Sequence, residues 1–338
     1  MQRFVLRRLV LLIPLLIGIT LVAFILSHAV PSDPVNAALG QSAVADPEIV
    51  AAFRAKWGLD QPVYVQYLTY LGNMLQGDLG ISIGTHRPVL EDLGRYMPAT
   101  AELSTTSIIL AVLIGVPFGV ISAVRRNTWL DQMSRVLSLI GVSAPVFWLA
   151  LLGLFLFYSR LNWLPGPGRL HIGTKAPPAV TGLYTVDALL IGDFDLCINA
   201  FSHLILPSIV LASYSMGLIT RVTRSAMLDV LSQDYIRTAR SKGLRESWVV
   251  GRHALSNALI PTVTVLGLSY GNLLTGTVLT ETIFSWPGIG QYAYQASVSL
   301  DFPAIMGVTM LIACVFIGVN LVVDVTYVFL DPRLREAQ

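Results

Sequence analysis

The sequence predicts an all-α integral membrane protein with six transmembrane helices. Of its 338 residues 54% are hydrophobic and 12% charged, with a mean hydropathy of +0.68, a balance that belongs to polytopic membrane proteins and not to water-soluble domains. The apolar residues are gathered into runs of about 20, the length that ~30 Å of hydrocarbon requires at ~1.5 Å rise per residue. The basic residues fall in alternate connectors between those runs, the pattern that orients a chain in a bilayer.

In chain order the spans are expected at 9–30, 101–124, 133–159, 204–220, 258–284 and 306–330. The first follows Arg7 and Arg8 and ends near "SHA", as a cleavable signal would. Its apolar core exceeds the ~7–15 residues usual for a signal, so an uncleaved helix is expected. The fourth is short and contains Pro207. Arg3, Arg7, Arg8, Arg125, Arg126, Arg135, Arg221, Arg224, Arg237, Arg240, Lys242, Arg245, Arg252, Arg333 and Arg335 make 15 of the 22 cations, and all fall on one side of this arrangement. That side is expected to be cytoplasmic, with both termini inside. The formal charge of +2 averages this asymmetry away. Cys197 and Cys314 lie in an outer loop and the last span, are not expected to pair, and have no metal-type spacing.

Three regions follow: an N-terminal helix at 1–30, an outer region at 31–100, and a five-helix core at 101–338 with a basic segment at 221–257. In the outer region Val63, Tyr67, Tyr70, Leu71 and Met74 share one helical face, and Val89, Leu93, Tyr96 and Met97 another. They are expected to form amphipathic helices that lie in the interface or make a small lid. The second outer loop holds four prolines and four glycines between 163 and 182, so an exposed, irregular and mobile segment is expected. In the third, Trp286, Tyr292 and Tyr294 suit anchoring at the water boundary, with a gate or docking lip as the alternative.

Seven cations between Arg221 and Arg252, each costing about 2.5–3.5 kcal/mol at a helix centre, exclude that segment from the bilayer. Ser232 or Asp234 is a candidate N-cap, and one or two short helices joined at Gly243 are expected. A basic amphipathic surface suits anionic lipid, nucleic acid or a protein partner. Mixing Arg237, Arg240 and Lys242 with Tyr235, Ala239 and Leu244 favours a docking helix, with membrane lipid left open and no nucleic acid expected.

At this point the residues carry a family resemblance. "DYIRTARSKGL...HALSNALIP" closely resembles the EAA loop of ABC importer permeases in the dipeptide/oligopeptide/nickel branch. "RRLVLLIPLLIGITLVAF...PSDP", "GLDQPVYVQYLTYLGNMLQGDLGIS", "ETIFSWPGIG" and "DPRLR" are similar to other signatures of that branch, so the resemblance covers nearly the whole chain. Order and length suggest its B-type permease subunit, a type I importer permease. The general loop begins with an acidic residue and two alanines; here Arg237, Thr238 and Ala239 stand there, and Ile260-Pro261 replaces a nearer Leu-Pro, departures the branch itself shares. Ser32 stands where the branch usually has glycine.

The resemblance implies that Arg237, Thr238, Ala239, Arg240, Lys242 and Gly243 couple to the ATPase. It also implies a second homologous permease, two cytosolic ATPases, an extracytoplasmic substrate-binding protein, and a place in the bacterial inner membrane. No cofactor is expected in this chain, with ATP and Mg bound by the partner subunits; consistently, it has no GxxxxGK[ST] phosphate loop and no Gly-Lys dipeptide. Peptide is the implied cargo, with nickel complexes, glutathione and oligosaccharides as alternatives within the branch.

A water-filled path needs polar groups inside spans. Ser269, Asn272 and Thr275, and more weakly Ser213 and Tyr214, are the pathway candidates, with interhelical packing as the alternative. Asp324 is expected to pair with an inner-loop arginine, and Glu102 and Glu281 to sit near outer helix ends where solvation is cheap. An intramembrane enzyme would need a nucleophile with its base, or a ligand cluster. His28, His86, His171, His203 and His253 are scattered, and neither HExxH nor GxSxG occurs. A self-sufficient secondary transporter would show repeats and midspan ions, and neither is evident.

Overall fold

The computed structural model describes residues 14, 16–22, 24, 25, 47, 48, 50, 51, 55, 61–275 and 277–330. Arg3, Arg7, Arg8, His28, Ser32, Arg333 and Arg335, both ends of the first expected span, and the side chain of Asp324 lie outside the described residues. Eleven helices are used below: α1 (Val63–Leu75), α2 (Val89–Val124), α3 (Trp129–Ser143), α4 (Val146–Arg160), α5 (Tyr184–Leu190), α6 (Phe194–Leu231), α7 (Asp234–Ser241), α8 (Glu246–Thr275), α9 (Val278–Ile283), α10 (Ile289–Val298) and α11 (Phe302–Leu330). Beyond the isolated bridge between Ile81 and Pro88, no strand occurs among the described residues.

Four of these helices, α2, α6, α8 and α11, are long and apolar enough to cross a membrane, and a fifth crossing arises if the bent pair α3–α4 counts as one. That pair corrects the expected continuous span at 133–159: its halves meet at 105°. The cause is local. Pro145 cannot donate an N–H and its ring forces the residue before it out of helical space, and Ala144 accordingly sits at φ −74°, ψ 130°. The fourth span is corrected in the other direction. Instead of 204–220, α6 runs for 38 residues, and Pro207 lies buried inside it without ending it. At ~1.5 Å per residue such a helix is far longer than ~30 Å of hydrocarbon, so hydropathy detects only its middle. The fifth span likewise begins earlier, at Glu246, and its last part separates as α9.

The chain divides into two compact units, Met1–Thr100 with Pro287–Ile317, and Ala101–Trp286 with Gly318–Gln338. In the first, the start of α2 packs Val89 and Leu93 against Ile289, Tyr292 and Ala296 of α10 and Ala304 and Val308 of α11, and the Tyr96 ring stacks on Tyr292 at 4.8 Å. The second amphipathic set is therefore not a separate helix but the opening turns of α2. The first set forms α1, where Tyr70 and Met74 are buried against Phe24 and Met306 while Val63 is exposed. Burial pushes the Tyr70 hydroxyl up to about 12. Asp301 caps α11 through the Ala304 N–H (3.2 Å) and holds the loop before α2 by accepting from Ser82 Oγ (2.6 Å) and Gly84 N (3.1 Å). Tyr292 is buried here, which corrects its expected place at a water boundary; of the three aromatic residues only Tyr294 is exposed.

In the second unit α6 is the hub. Lipid offers helices no hydrophobic reason to associate, so close packing of small residues must hold them. A Cβ on Gly217 of α6 would come within 2.5 Å of the Ser138 carbonyl of α3, and one on Gly141 of α3 within 2.6 Å of the Ser213 carbonyl of α6. Each helix thus has its backbone seated in a notch that only glycine leaves open.

The outer loop at 163–182 is irregular as expected, yet it is pinned. Arg169 is buried, donates to Glu102 at 2.5 Å and to the Gly182 carbonyl at 3.0 Å, and stacks over Tyr184 at 3.4 Å from the ring centre. Glu102 also accepts the Thr185 N–H (2.9 Å) and hydroxyl (2.6 Å). Cheap solvation of Glu102 and Glu281 is therefore wrong: both are buried, and Glu281 accepts the Thr277 hydroxyl at 2.7 Å. Trp286 is buried as well, its backbone N–H donating to the Glu281 carbonyl at 2.8 Å. Among the histidines, His171 and His203 meet with ring centres 4.6 Å apart, a proximity their spacing in the sequence does not announce.

Candidate functional site

The basic segment forms a helix, a turn and a second helix, as its residues predict. The start differs in detail: Gln233 takes the N-cap position without a side-chain bond, and Ser232 instead closes α6, donating its hydroxyl to the Asp229 carbonyl at 2.7 Å. α7 ends at Gly243, which has φ +74° and donates its N–H to the Arg240 carbonyl at 2.9 Å. This left-handed closure is the one that glycine makes without a Cβ penalty.

Two side chains seat α7. Ile236 and Ala239 are buried in a cluster with Ala123 from the end of α2, Met227 from α6, and Val249, Ala254 and Ala258 from α8. Ala239 is small because the helix lies close to its seat, and three of its companions are alanines. Tyr235 adds a polar tie, accepting from Asn257 Nδ2 at 3.0 Å. The remaining face is open: Arg237, Thr238, Arg240 and Lys242 are all exposed, as is Gly243. Arg240 is fixed by Glu246, with Nη2 donating to Oε1 at 2.7 Å and Nε to Oε2 at 3.1 Å. Trp248, two residues after Glu246, is exposed, with the Arg252 guanidinium 5.3 Å from its ring centre.

The six residues expected to couple therefore come together on one helix and its closing turn, with Ala239 facing inward and the other five outward. Sequence reasoning missed Ile236, the principal anchor, although an apolar residue three before Ala239 within a cationic stretch is the available signal. It also missed Glu246, whose partner is set by the turn and not by helical spacing.

The pathway candidates differ in exposure. Ser269 is 4% exposed, Asn272 and Tyr214 are exposed, and Ser213 and Thr275 lie between. Ser213 donates to the Val210 carbonyl at 2.7 Å and Thr275 to that of Gly271 at 3.1 Å, so both hydroxyls are satisfied within their own helices.

A chain with apolar helices, a cationic projecting helix and no ligand cluster among the described residues matches a known family. Residues 115–336 match the family described as binding-protein-dependent transport system inner membrane component, and residues 1–104 match its N-terminal companion. The chain belongs to this family. The permease is 49% identical over 317 residues to the probable D,D-dipeptide transport system permease protein DdpB of Escherichia coli K12, covering 94% of this chain and 93% of that one. It is 44% identical to the dipeptide transport system permease protein DppB of Alkalihalophilus pseudofirmus and 42% identical to DppB of Escherichia coli K12. Both alignments run over 337 residues, covering 99% of this chain and 100% and 99% of the relatives. The permease is thus a multi-pass inner membrane component.

Proposed function

We propose that this chain is the transmembrane permease subunit of an ATP-driven importer of dipeptides or oligopeptides. It forms half of the translocation pathway and couples through α7 to separate ATPase subunits. The observation that carries the reading is the division of α7. Its inner face, Ile236 and Ala239, is seated on α2, α6 and α8, while its outer face offers Arg237, Thr238, Arg240 and Lys242. A helix held at three helix ends transmits force into all three, and an exposed cationic face suits a cytosolic protein partner. The names of relatives 42–49% identical over nearly the whole chain support the peptide cargo.

In this reading six helices cross the membrane with both termini in the cytoplasm, the first at 9–30. The chain catalyses nothing and binds no cofactor; two cytosolic ATPases bind ATP and Mg, a second homologous permease completes the pathway, and an extracytoplasmic binding protein delivers the peptide. Ser213, Tyr214, Ser269, Asn272 and Thr275 contribute the polar groups along the path. The test uses the assembled transporter. Ala239→Asp places a carboxylate in the seat of α7 and is expected to release the ATPases on purification and to stop uptake of labelled dipeptide. Normal ATPase recovery and uptake in that variant would overturn the coupling role.

A further inference from the structure

Asp131, fully buried in the first turn of α3, is enclosed by donors from α2, α6 and the connector before it. Arg224 of α6 grips it with a fork, Nε to Oδ1 at 2.8 Å and Nη2 to Oδ2 at 3.0 Å. Ser122 of α2 donates its hydroxyl to Oδ1 at 2.6 Å and accepts from Arg224 Nε at 3.0 Å. Asn127, turned to φ +64°, donates its N–H to Oδ2 at 2.9 Å. Arg135 stands farther off, at 3.8 Å.

The same helix ends carry the seat of α7. On α2 the residue after Ser122 is Ala123, and on α6 the residue one turn after Arg224 is Met227; both belong to the cluster that buries Ile236 and Ala239. α3 contributes no side chain to that cluster. At this end of the unit its strongest polar link to the helices of the α7 seat is Asp131, with Ser134 donating to the Phe118 carbonyl of α2 at a longer 3.5 Å. A forked arginine–carboxylate pair fixes angle as well as distance, which a lysine cannot do. α3 also ends at the extended Ala144 before Pro145, a break about which it can turn.

We infer that the Asp131–Arg224 pair positions α3, so that displacement of α7 is passed to α3 and onward to the bent α3–α4 pair. This rests on the reading of α7 as the ATPase-docking helix. Neither residue touches a partner subunit or the peptide in this account; the pair keeps ATP hydrolysis tied to movement.

The test compares Asp131→Asn and Arg224→Lys with the unmodified transporter, assembled with its partner subunits in proteoliposomes. Dipeptide uptake, ATP hydrolysis and ATPase co-purification are measured together. Asp131→Asn is expected to raise the ATP hydrolysed per peptide at least fivefold, and Arg224→Lys by less, with the ATPases recovered in full. A merely structural pair would lower both rates together and leave the ratio unchanged, and an unchanged ratio in both variants overturns the inference. Should Asp131→Asn fail to assemble, Arg224→Lys, which keeps the charge, supplies the ratio alone. The Ala239→Asp variant separates the two claims: if it retains its ATPases, the reading of α7 falls and this inference falls with it. If it loses them while Asp131→Asn and Arg224→Lys both keep the normal ratio, this inference alone is sunk.

Discussion

Arg240 and Glu246 clasp across the Gly243 turn, with two parallel hydrogen bonds of 2.7 Å and 3.1 Å joining the end of α7 to the start of α8. The pair is more than two-fifths exposed on both sides, so solvent screens it and its worth to stability is about 0–1 kcal/mol. Its role is to hold an angle.

Arg240→Glu is therefore expected to leave membrane abundance near normal while setting two carboxylates together and abolishing uptake. Adding Glu246→Arg restores the fork with its ends exchanged and is expected to recover part of the transport, the cation at 240 being still absent from the outer face. Labelled dipeptide uptake normalised to immunoblotted protein checks both; full uptake in Arg240→Glu alone would refute the idea.

Gly243 sits in left-handed space. Alanine there costs about 1–2 kcal/mol and is expected to reduce uptake without stopping it. Proline, locked near φ −65°, cannot take the conformation and deletes the donor to Arg240, so Gly243→Pro is expected to insert normally and transport nothing. Wild-type uptake by the proline variant would show that the turn is dispensable.

Ser269 and Asn272 lie one turn apart on α8 with opposite exposure. Cysteine at 272 is expected to react quickly with a charged maleimide during turnover, and cysteine at 269, buried at rest, to react more slowly and only as the path opens. Labelling of 269 and not 272 would reverse their assignments along the path.

Asp187 closes the outer loop by accepting the Thr181 N–H (2.8 Å) and hydroxyl (2.7 Å) and the Gly182 N–H (2.9 Å). Burial alone would raise its pKa, but these donors together outweigh burial and hold the carboxyl below the usual carboxylate range. The sign follows: a depressed native pKa stabilises the fold above the ordinary carboxylate value of ~3.9, and that contribution is lost as pH falls through the native one. The loop is expected to stay closed from neutral pH to about pH 4. Hydrogen exchange at Thr181 and Gly182, corrected for intrinsic rates, tests this. Asp187→Asn should speed exchange at pH 7, and equal protection in that variant would dismiss the contact.

Much of this fold and of the basic segment is legible in the order of residues. The middles of the spans, the helix–turn–helix from Asp234 onward and the glycine that closes its turn depend on local physics: apolar length, the cost of burying cations, and a backbone angle that needs no Cβ. Helix ends are hidden from the sequence where polar residues continue a helix beyond hydrocarbon, as at both ends of α6, because hydropathy marks the bilayer and not the last hydrogen-bonded turn.

The chain by itself determined its class, the middles of its apolar helices and the position of its exposed cationic strip, since each is set within a few turns of sequence. Tertiary structure alone decided that Glu102 meets Arg169 across 67 positions, that Asp131 meets Arg224 across 93, and that Ile236 rather than a cation anchors α7. A buried charge must find its counterpart wherever the packing of helices brings one, and no local spacing records that choice.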